Sequence, residues 1–344
     1  MTTNLPKRQV GRTGLEVTIL GMGGAPLGDL YAKLGPGEAY GTIEAAWDHG
    51  VRLFDTAPLY GHGLSEHRMG HVLRNKPRGD YLLSTKIGRY LTPEAPERID
   101  RGQWAGGLNM RWDFDYSADG TKRAIEQSFQ RLGIERIDIL LIHDLDKWWC
   151  PTPETFEQRY RQVMDGAYRV LSDLRAQGVI KALGMGVNGV APCVRLATDA
   201  DPDVFLLAGR YTLLEQGGLD DLLPLAERKG FSILLGGPFN SGILATGAVA
   251  GAKYDYKPAP PEILERVRRI EAVCKRHSVP LKAAAIQFPL GLACVAAIVP
   301  GAVKPQEMIE NRQMIVHPIP AALWEELRQE GLLAAGCPVP ASAA

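Results

Sequence analysis

The chain has 344 residues, 45% of them hydrophobic and 23% charged, with 39 Lys plus Arg balanced by 39 Asp plus Glu. Such a composition supports a large core and excludes a disordered or fibrous chain. The balanced charge offers no overall field for nucleic acid or an anionic membrane surface, so the expected partner is a small, weakly charged molecule.

Residues Met1–Val10 carry Lys7 and Arg8 with no apolar stretch behind them, unlike a secretory signal or membrane anchor, and a cytoplasmic location is expected. Leu5–Val17, with Gly11 and Gly14 between short polar runs, reads as a hairpin placed to cover one mouth of whatever follows. From there short apolar runs alternate with segments of helical period, the pattern of a parallel α/β sheet. The expected strands are Thr18–Met22, Val51–Phe54, Tyr81–Thr85, Ile137–Ile142, Ile180–Met185, Val204–Leu207, Ser232–Leu235 and Ala296–Val299. Eight strands are what a (β/α)8 TIM barrel needs.

Between them lie amphipathic stretches at Glu38–His49, Thr121–Leu132, Tyr160–Gln177, Leu219–Lys229 and Pro261–His277. Gly50, Gly133, Gly178 and Gly230 follow as helix stops suited to the left-handed conformation. Residues Gly88–Gly120, after the third strand, show neither period and read as a long loop of the lid or binding type. The alternation has no linker-like break, so residues 1–344 read as one domain, with a mobile Ala- and Pro-rich tail over 331–344. The five cysteines are odd in number, widely spaced and free of any CxxC pair, which argues against a disulfide framework and a structural zinc site.

In a barrel the chemistry sits where the strands end. Asp55 ends the second strand, Tyr60 follows in DTAPLYG, Lys86 ends the third and His143 ends the fourth. A free tyrosine, with a pKa near ~10, is a weak acid at neutral pH. An ammonium beside it favours phenolate, a carboxylate holds the ammonium, and an imidazole orients or relays a proton. Such a tyrosine can exchange a proton with a carbinol or carbonyl oxygen, which is all that hydride transfer asks of the protein. A strand-end Asp, Lys or His alone is more often a structural group; their joint arrival on neighbouring strands favours a site.

These residues stand in GVRLFDTAPLYGHGLSEHRMG (50–70), STK (84–86), LIHD (141–144), IKALGMGVN (180–188) and IVPGAVKPQEMIEN (298–311), which together resemble the aldo-keto reductase superfamily over nearly the whole chain. The resemblance implies that Asp55, Tyr60, Lys86 and His143 form the catalytic tetrad, with Tyr60 as acid or base. The stretch ending in FDYSADG (114–120) is most similar to the D-threo-aldose 1-dehydrogenases, L-fucose dehydrogenases among them, and to the pyridoxal 4-dehydrogenases. This implies oxidation of the anomeric hydroxyl of an aldose to a lactone, or alternatively of pyridoxal hemiacetal, with general aldehyde reduction a further alternative.

By the same resemblance Asn188 holds the nicotinamide carboxamide, and Gly237, Pro238, Phe239, Asn240 and Ser241 wrap the pyrophosphate. Gly236 stands where many relatives place a stacking tyrosine, which leaves Phe239 or another ring for that role. Gly24, in the glycine cluster after the first strand, is expected beside the cofactor. Relatives that prefer NADP carry a lysine directly after the strand-end proline and an arginine six residues later; here those positions hold Gly301 and Glu307. A guanidinium fork suits a phosphate and a carboxylate suits a free ribose hydroxyl, so NAD is expected ahead of NADP, with Lys304 as partial compensation. Asn311 is expected at the adenine. Trp148 and Trp149 read equally as a sugar-stacking wall or as packing under the long loop.

Two readings of other classes stand beside this. A metal-dependent barrel hydrolase would use His62, His143, Asp144 and Asp55 as ligands, but Lys86 in the same patch would repel the cation. A non-enzymatic nicotinamide-binding subunit would have no use for an activated phenol. No metal is expected, and the oligomeric state is not legible.

Overall fold

The computed structural model describes residues 4–217 and 220–341. β1 (Lys7–Val10) and β2 (Leu15–Thr18) form the expected antiparallel hairpin. The barrel strands are β3 (Met22–Gly23), β4 (Leu53–Asp55), β5 (Leu82–Ile87), β8 (Ile139–His143), β9 (Ala182–Val187), β10 (Val204–Ala208), β11 (Ser232–Gly236) and β14 (Val295–Val299). Outside the barrel, β6 (Arg89–Pro93) pairs with β7 (Met110–Phe114), and β12 (Lys253–Tyr254) with β13 (Lys257–Pro258).

The eight barrel strands run parallel in the order β14-β11-β10-β9-β8-β5-β4-β3. Bridges Leu20–Ile298 and Gly23–Gly301 close the ring, giving a (β/α)8 barrel. Side-chain alternation of period two decides what faces inward. Leu53, Ile139, Leu141, Val204, Leu206 and Leu234 form one buried cluster inside the barrel, and Val10 and Val17 of the hairpin plug its lower mouth. The opposite parity, including Leu83, Leu140 and Ile142, packs under the helices. Two residues past Leu53 and Leu141 the inward positions hold Asp55 and His143, and Lys86 shares the parity of Leu82.

The structure corrects four readings. The run Thr18–Met22 is not one strand: Thr18 ends the hairpin, and barrel pairing resumes at Met22. The Thr18 hydroxyl donates to Leu20 O at 2.8 Å and accepts from Arg52 N at 3.1 Å, which diverts the chain between the two. The long loop contains the β6–β7 ribbon, with Leu91 opposite Trp112; prolines and glycines around it hide its alternation. The helix read over Tyr160–Gln177 begins at Pro153 and carries a π turn at Val163–Ala167, where the Ala167 N–H reaches across to Tyr116 O. The tail read as mobile packs down as far as it is described, with Leu332, Leu333 and Cys337 buried and Cys337 Sγ 3.3 Å from Tyr211 Oη.

Leu219, the expected start of one helix, and residues 1–3 and 342–344 lie outside the described residues; that helix runs Leu222–Lys229. Gly50, Gly133, Gly178 and Gly230 all adopt positive φ, as their role as helix stops requires. The five cysteines are free. Among the described residues no helix is long and apolar enough to cross a membrane.

Candidate active site

Parity and strand ends bring Asp55, Lys86 and His143 to one point at the upper mouth. Lys86 Nζ donates to Asp55 Oδ2 at 2.7 Å and to Thr56 O at 2.8 Å. Tyr60 lies on the loop after β4, its ring 4.9 Å from that ammonium. The His143 ring stands edge-on to it, with centroids 5.8 Å apart. All four side chains of the expected tetrad are therefore neighbours.

The electrostatics differ from the expected pattern. Burial pushes the Tyr60 phenol well above its ordinary value, Asp55 and Asp144 add to the rise, and Arg89 opposes it. The Lys86 ammonium cannot reverse this because Asp55 offsets its charge at contact distance. Burial also raises Asp55 against the pull of Lys86, and it holds His143 well below its ordinary value, helped by Lys86 and Arg89. His143 is thus neutral.

Sequence reasoning missed Arg89. Gly88 turns the chain at φ 105°, and a Cβ there would lie 2.3 Å from the Tyr116 ring, so only glycine lets the chain double back this soon after Lys86. Arg89 then enters a box formed by Phe114, Trp149 and Trp112, its guanidinium carbon 4.0, 4.6 and 5.0 Å from the ring centres. It is 1% exposed and pairs with Asp144 Oδ2 at 2.9 Å. Its Nη1 also faces His143 Nδ1 at 3.4 Å. A guanidinium only donates, so Nδ1 accepts and the proton of the neutral ring sits on Nε2. Tyr116 Oη donates to His143 O at 2.6 Å and pins the strand end.

Two cavities meet at Tyr60. One, of about 530 Å³, is walled by Trp104, Trp148, Trp149, His143, Asp144 and Tyr256. Trp148 is 40% exposed at its mouth and stands 5.4 Å from Tyr256, whereas Trp149 both lines it and closes the Arg89 box. The second, of about 310 Å³, runs as a groove past Gly24, Asn188, Gly209, Gly236–Gly242, Gly301 and Val303. Gly24, Asn188, Gly237, Pro238, Phe239, Asn240, Ser241 and Gly301 are thereby brought together, while Glu307 and Asn311 lie beyond the lining.

The groove suits a dinucleotide. A Cβ on Gly24 would meet Asp55 O at 2.8 Å, so the backbone there stays bare beside the tetrad. Asn311 is buried, and among the described residues its Oδ1 makes no hydrogen bond within the protein, an acceptor left for a ligand amine. Asn188 is held from behind: its N and Nδ2 donate to Asp146 Oδ2 at 3.0 and 3.4 Å, and Arg210 Nε donates to its carbonyl at 2.7 Å. Asn240, also on the groove, accepts from Thr212 Oγ1 and donates to Gly209 O through its side chain. The tip of the β12–β13 hairpin covers both cavities, tied down by Asp255 to Arg210 at 2.8 Å and by Tyr256 N to Ser241 Oγ at 2.9 Å. Nothing in the sequence marked Asp146, Arg210 or this hairpin. Among the described residues no cluster of three or more His, Cys, Asp or Glu side chains could hold a metal ion.

Residues 19–330 match the family model of the aldo/keto reductases. The chain is 43% identical to pyridoxal 4-dehydrogenase of Microbacterium luteolum over 95% of this chain and 98% of that protein. It is 39% identical to D-threo-aldose 1-dehydrogenase of a Pseudomonas species over 93% and 96%. In fold it is similar to an aldo-keto reductase of Bacillus halodurans, with a TM-score of 0.74 at 22% identity over 97% of this chain and 98% of that one. A glycerol dehydrogenase of Gluconobacter oxydans gives the same score and identity over 98% of each chain. The chain belongs to the aldo/keto reductase family and is an NAD(P)-dependent oxidoreductase.

Proposed function

We propose that this enzyme oxidises the anomeric carbinol of a ring-closed aldose of the L-fucose or D-threo type to the lactone, with Tyr60 as general base and NAD as the preferred cofactor. The observation that carries this reading is the position of the Tyr60 phenol, at the junction of an aromatic-walled cavity and a glycine-lined groove, against neutral His143 and the Lys86–Asp55 pair. A bound nicotinamide supplies the hydride acceptor.

The chain supplies everything else. His143 Nε2–H donates to the carbinol oxygen and orients it, and Tyr60 removes the hydroxyl proton as the C–H electron pair departs, leaving the carbonyl of the lactone. Lys86 takes no proton; it keeps positive charge beneath the phenol, and Asp55 keeps Lys86 in place. Asn188, Gly24, the 237–241 loop, Gly301 and Asn311 hold the cofactor. The flat walls of Trp104, Trp148 and Trp149 accept the apolar face of a sugar ring.

A second reading keeps the same chemistry on pyridoxal hemiacetal, whose aromatic ring stacks on those walls equally well. It is favoured by the 43% identity to a pyridoxal 4-dehydrogenase. A panel of L-fucose, D-arabinose, other aldoses, pyridoxal and simple aldehydes, followed by cofactor absorbance, tests both. Reduction of open-chain aldehydes alone would overturn the hemiacetal reading.

The NAD preference rests on Glu307. A helix N-terminus attracts phosphate, but the turn opening Pro305–Met314 is already served by this carboxylate, which accepts from Val303 N at 2.9 Å. A 2′-phosphate would meet like charge there, and Lys304 is the nearby group that offsets it. The test is kcat/KM with NAD and with NADP.

A further inference from the structure

Asp144 follows His143 directly and belongs to no expected role in the tetrad, yet it lines the larger cavity. Its backbone sits at φ 57°, a conformation that Asp tolerates better than most residues. One carboxylate oxygen, Oδ2, is taken by Arg89. The other, Oδ1, stands 3.5 Å from His143 Nε2, at the outer limit of hydrogen bonding, on the side where the reacting oxygen would lie. The residue is 4% exposed, and burial pushes its carboxyl up to about 6 even beside Arg89. An acceptor this buried invites a donor from the ligand, because a carboxylate keeps unmet hydrogen-bonding capacity after one contact.

We infer that Asp144 is a substrate-binding residue, accepting a hydrogen bond from the hydroxyl adjacent to the carbinol that is oxidised, and that Arg89 is the positioning residue that aims it. The inference rests on the proposed hemiacetal oxidation and narrows its substrate class to ring-closed aldoses with a free vicinal hydroxyl. The geometry is that of a vicinal diol: one oxygen on His143 Nε2 and Tyr60, the next a hydrogen-bond length away on Asp144 Oδ1. Three aromatic faces enclose Arg89, and among the described residues its Nε and Nη2 have no hydrogen-bond partner, so Asp144 and His143, both met by Nη1, are its polar contacts. Simple alcohols and aldehydes lack the second hydroxyl and would leave the carboxylate unserved.

The test compares the best aldose with its 2-deoxy analogue in wild type, Asp144→Asn, Asp144→Ala and Arg89→Lys. Hydrogen bonds to charged groups contribute about 1.5–3 kcal/mol, roughly a 10- to 150-fold effect. Wild type should lose about that factor in kcat/KM with the 2-deoxy sugar. Asp144→Ala should lose it with the full aldose, mostly through KM, and little more with the 2-deoxy sugar. Asp144→Asn, nearly isosteric, should fall between, and Arg89→Lys should follow Asp144→Asn. Equal loss on both sugars would show that Asp144 acts only through His143 or through folding, and would overturn the inference. A wild type that prefers the 2-deoxy sugar would overturn it too. A wild type inert on every aldose would refute the aldose reading itself and the inference with it, whatever other carbonyls it turns over.

Discussion

Lys86→Met removes one partner of a pair that is almost wholly buried, Lys86 being 1% and Asp55 2% exposed, with 2.7 Å between Nζ and Oδ2. Breaking a buried pair by removing one partner costs about 3–5 kcal/mol, because the charge left behind stays desolvated. The Thr56 carbonyl also loses its donor, for about a further 1 kcal/mol. At roughly 2 °C or less per kcal/mol for a chain of this size, unfolding should fall by about 5–10 °C at neutral pH. The pH dependence gives the sharper signature. Burial already raises Asp55 in the folded protein, and loss of Lys86 raises it further. A group whose folded pKa lies above its unfolded value stabilises the fold below the unfolded pKa, near ~3.9, and loses that contribution as pH rises through the folded pKa. The deficit relative to wild type should therefore be small in acid and widen towards neutral pH. In Asp55→Asn/Lys86→Met, where no lone carboxylate remains, it should shrink and become independent of pH. Thermal unfolding of the three proteins between acid and mildly alkaline pH measures this. A Lys86→Met deficit that is absent, or flat with pH, would show that the pair is not desolvated as the geometry implies.

Tyr60→Phe should lower turnover by about 10²–10⁴-fold while leaving cofactor binding, read by fluorescence titration, unchanged. Because burial and the neighbouring carboxylates hold the Tyr60 phenol above its ordinary value, its basic form grows as pH rises, so oxidation should accelerate from neutral into alkaline pH; a rate that levels off at neutral pH would place the proton acceptor elsewhere. Glu307→Arg should shift kcat/KM towards NADP, and an unchanged ratio would locate the phosphate contacts on other residues.

How much of this was legible follows from which forces act locally. Barrel strands buried on both faces announce themselves as apolar runs, and helix stops as glycines, so the repeat could be read directly. The clustering of the candidate tetrad was legible because strand ends and parity are one-dimensional facts: Asp55, Lys86 and His143 each close a run. Arg89 was not, because its meaning depends on Trp112, Phe114 and Trp149 arriving from two other segments. Its one local signal was Gly88, set between two strands that could not otherwise reverse. The offset of Lys86 by Asp55 was legible as a pair, but its effect on Tyr60 was not, since burial outweighs both and burial is a property of the whole barrel.

Non-glycine residues at positive φ break the propensities on which sequence reading relies, and such strain persists only where surrounding contacts over-determine it. Tyr31, Asp144, Asn240, Ser241, Asp255 and Tyr256 are all of this kind, and all of them line one or both cavities. Each is also held by an identifiable partner: Asp144 by Arg89, Asn240 by Thr212, Ser241 by Tyr256 N, Asp255 by Arg210, and Tyr31 by Lys253 at 4.0 Å over its ring. Tyr256 packs against Trp148. These contacts lie around the upper mouth of the barrel, from the glycine-lined groove to the aromatic-walled cavity. The strands beneath them form a layer of regular structure that local rules describe. The set above it departs from those rules, because its backbone is held at positive φ by contacts between segments distant in sequence.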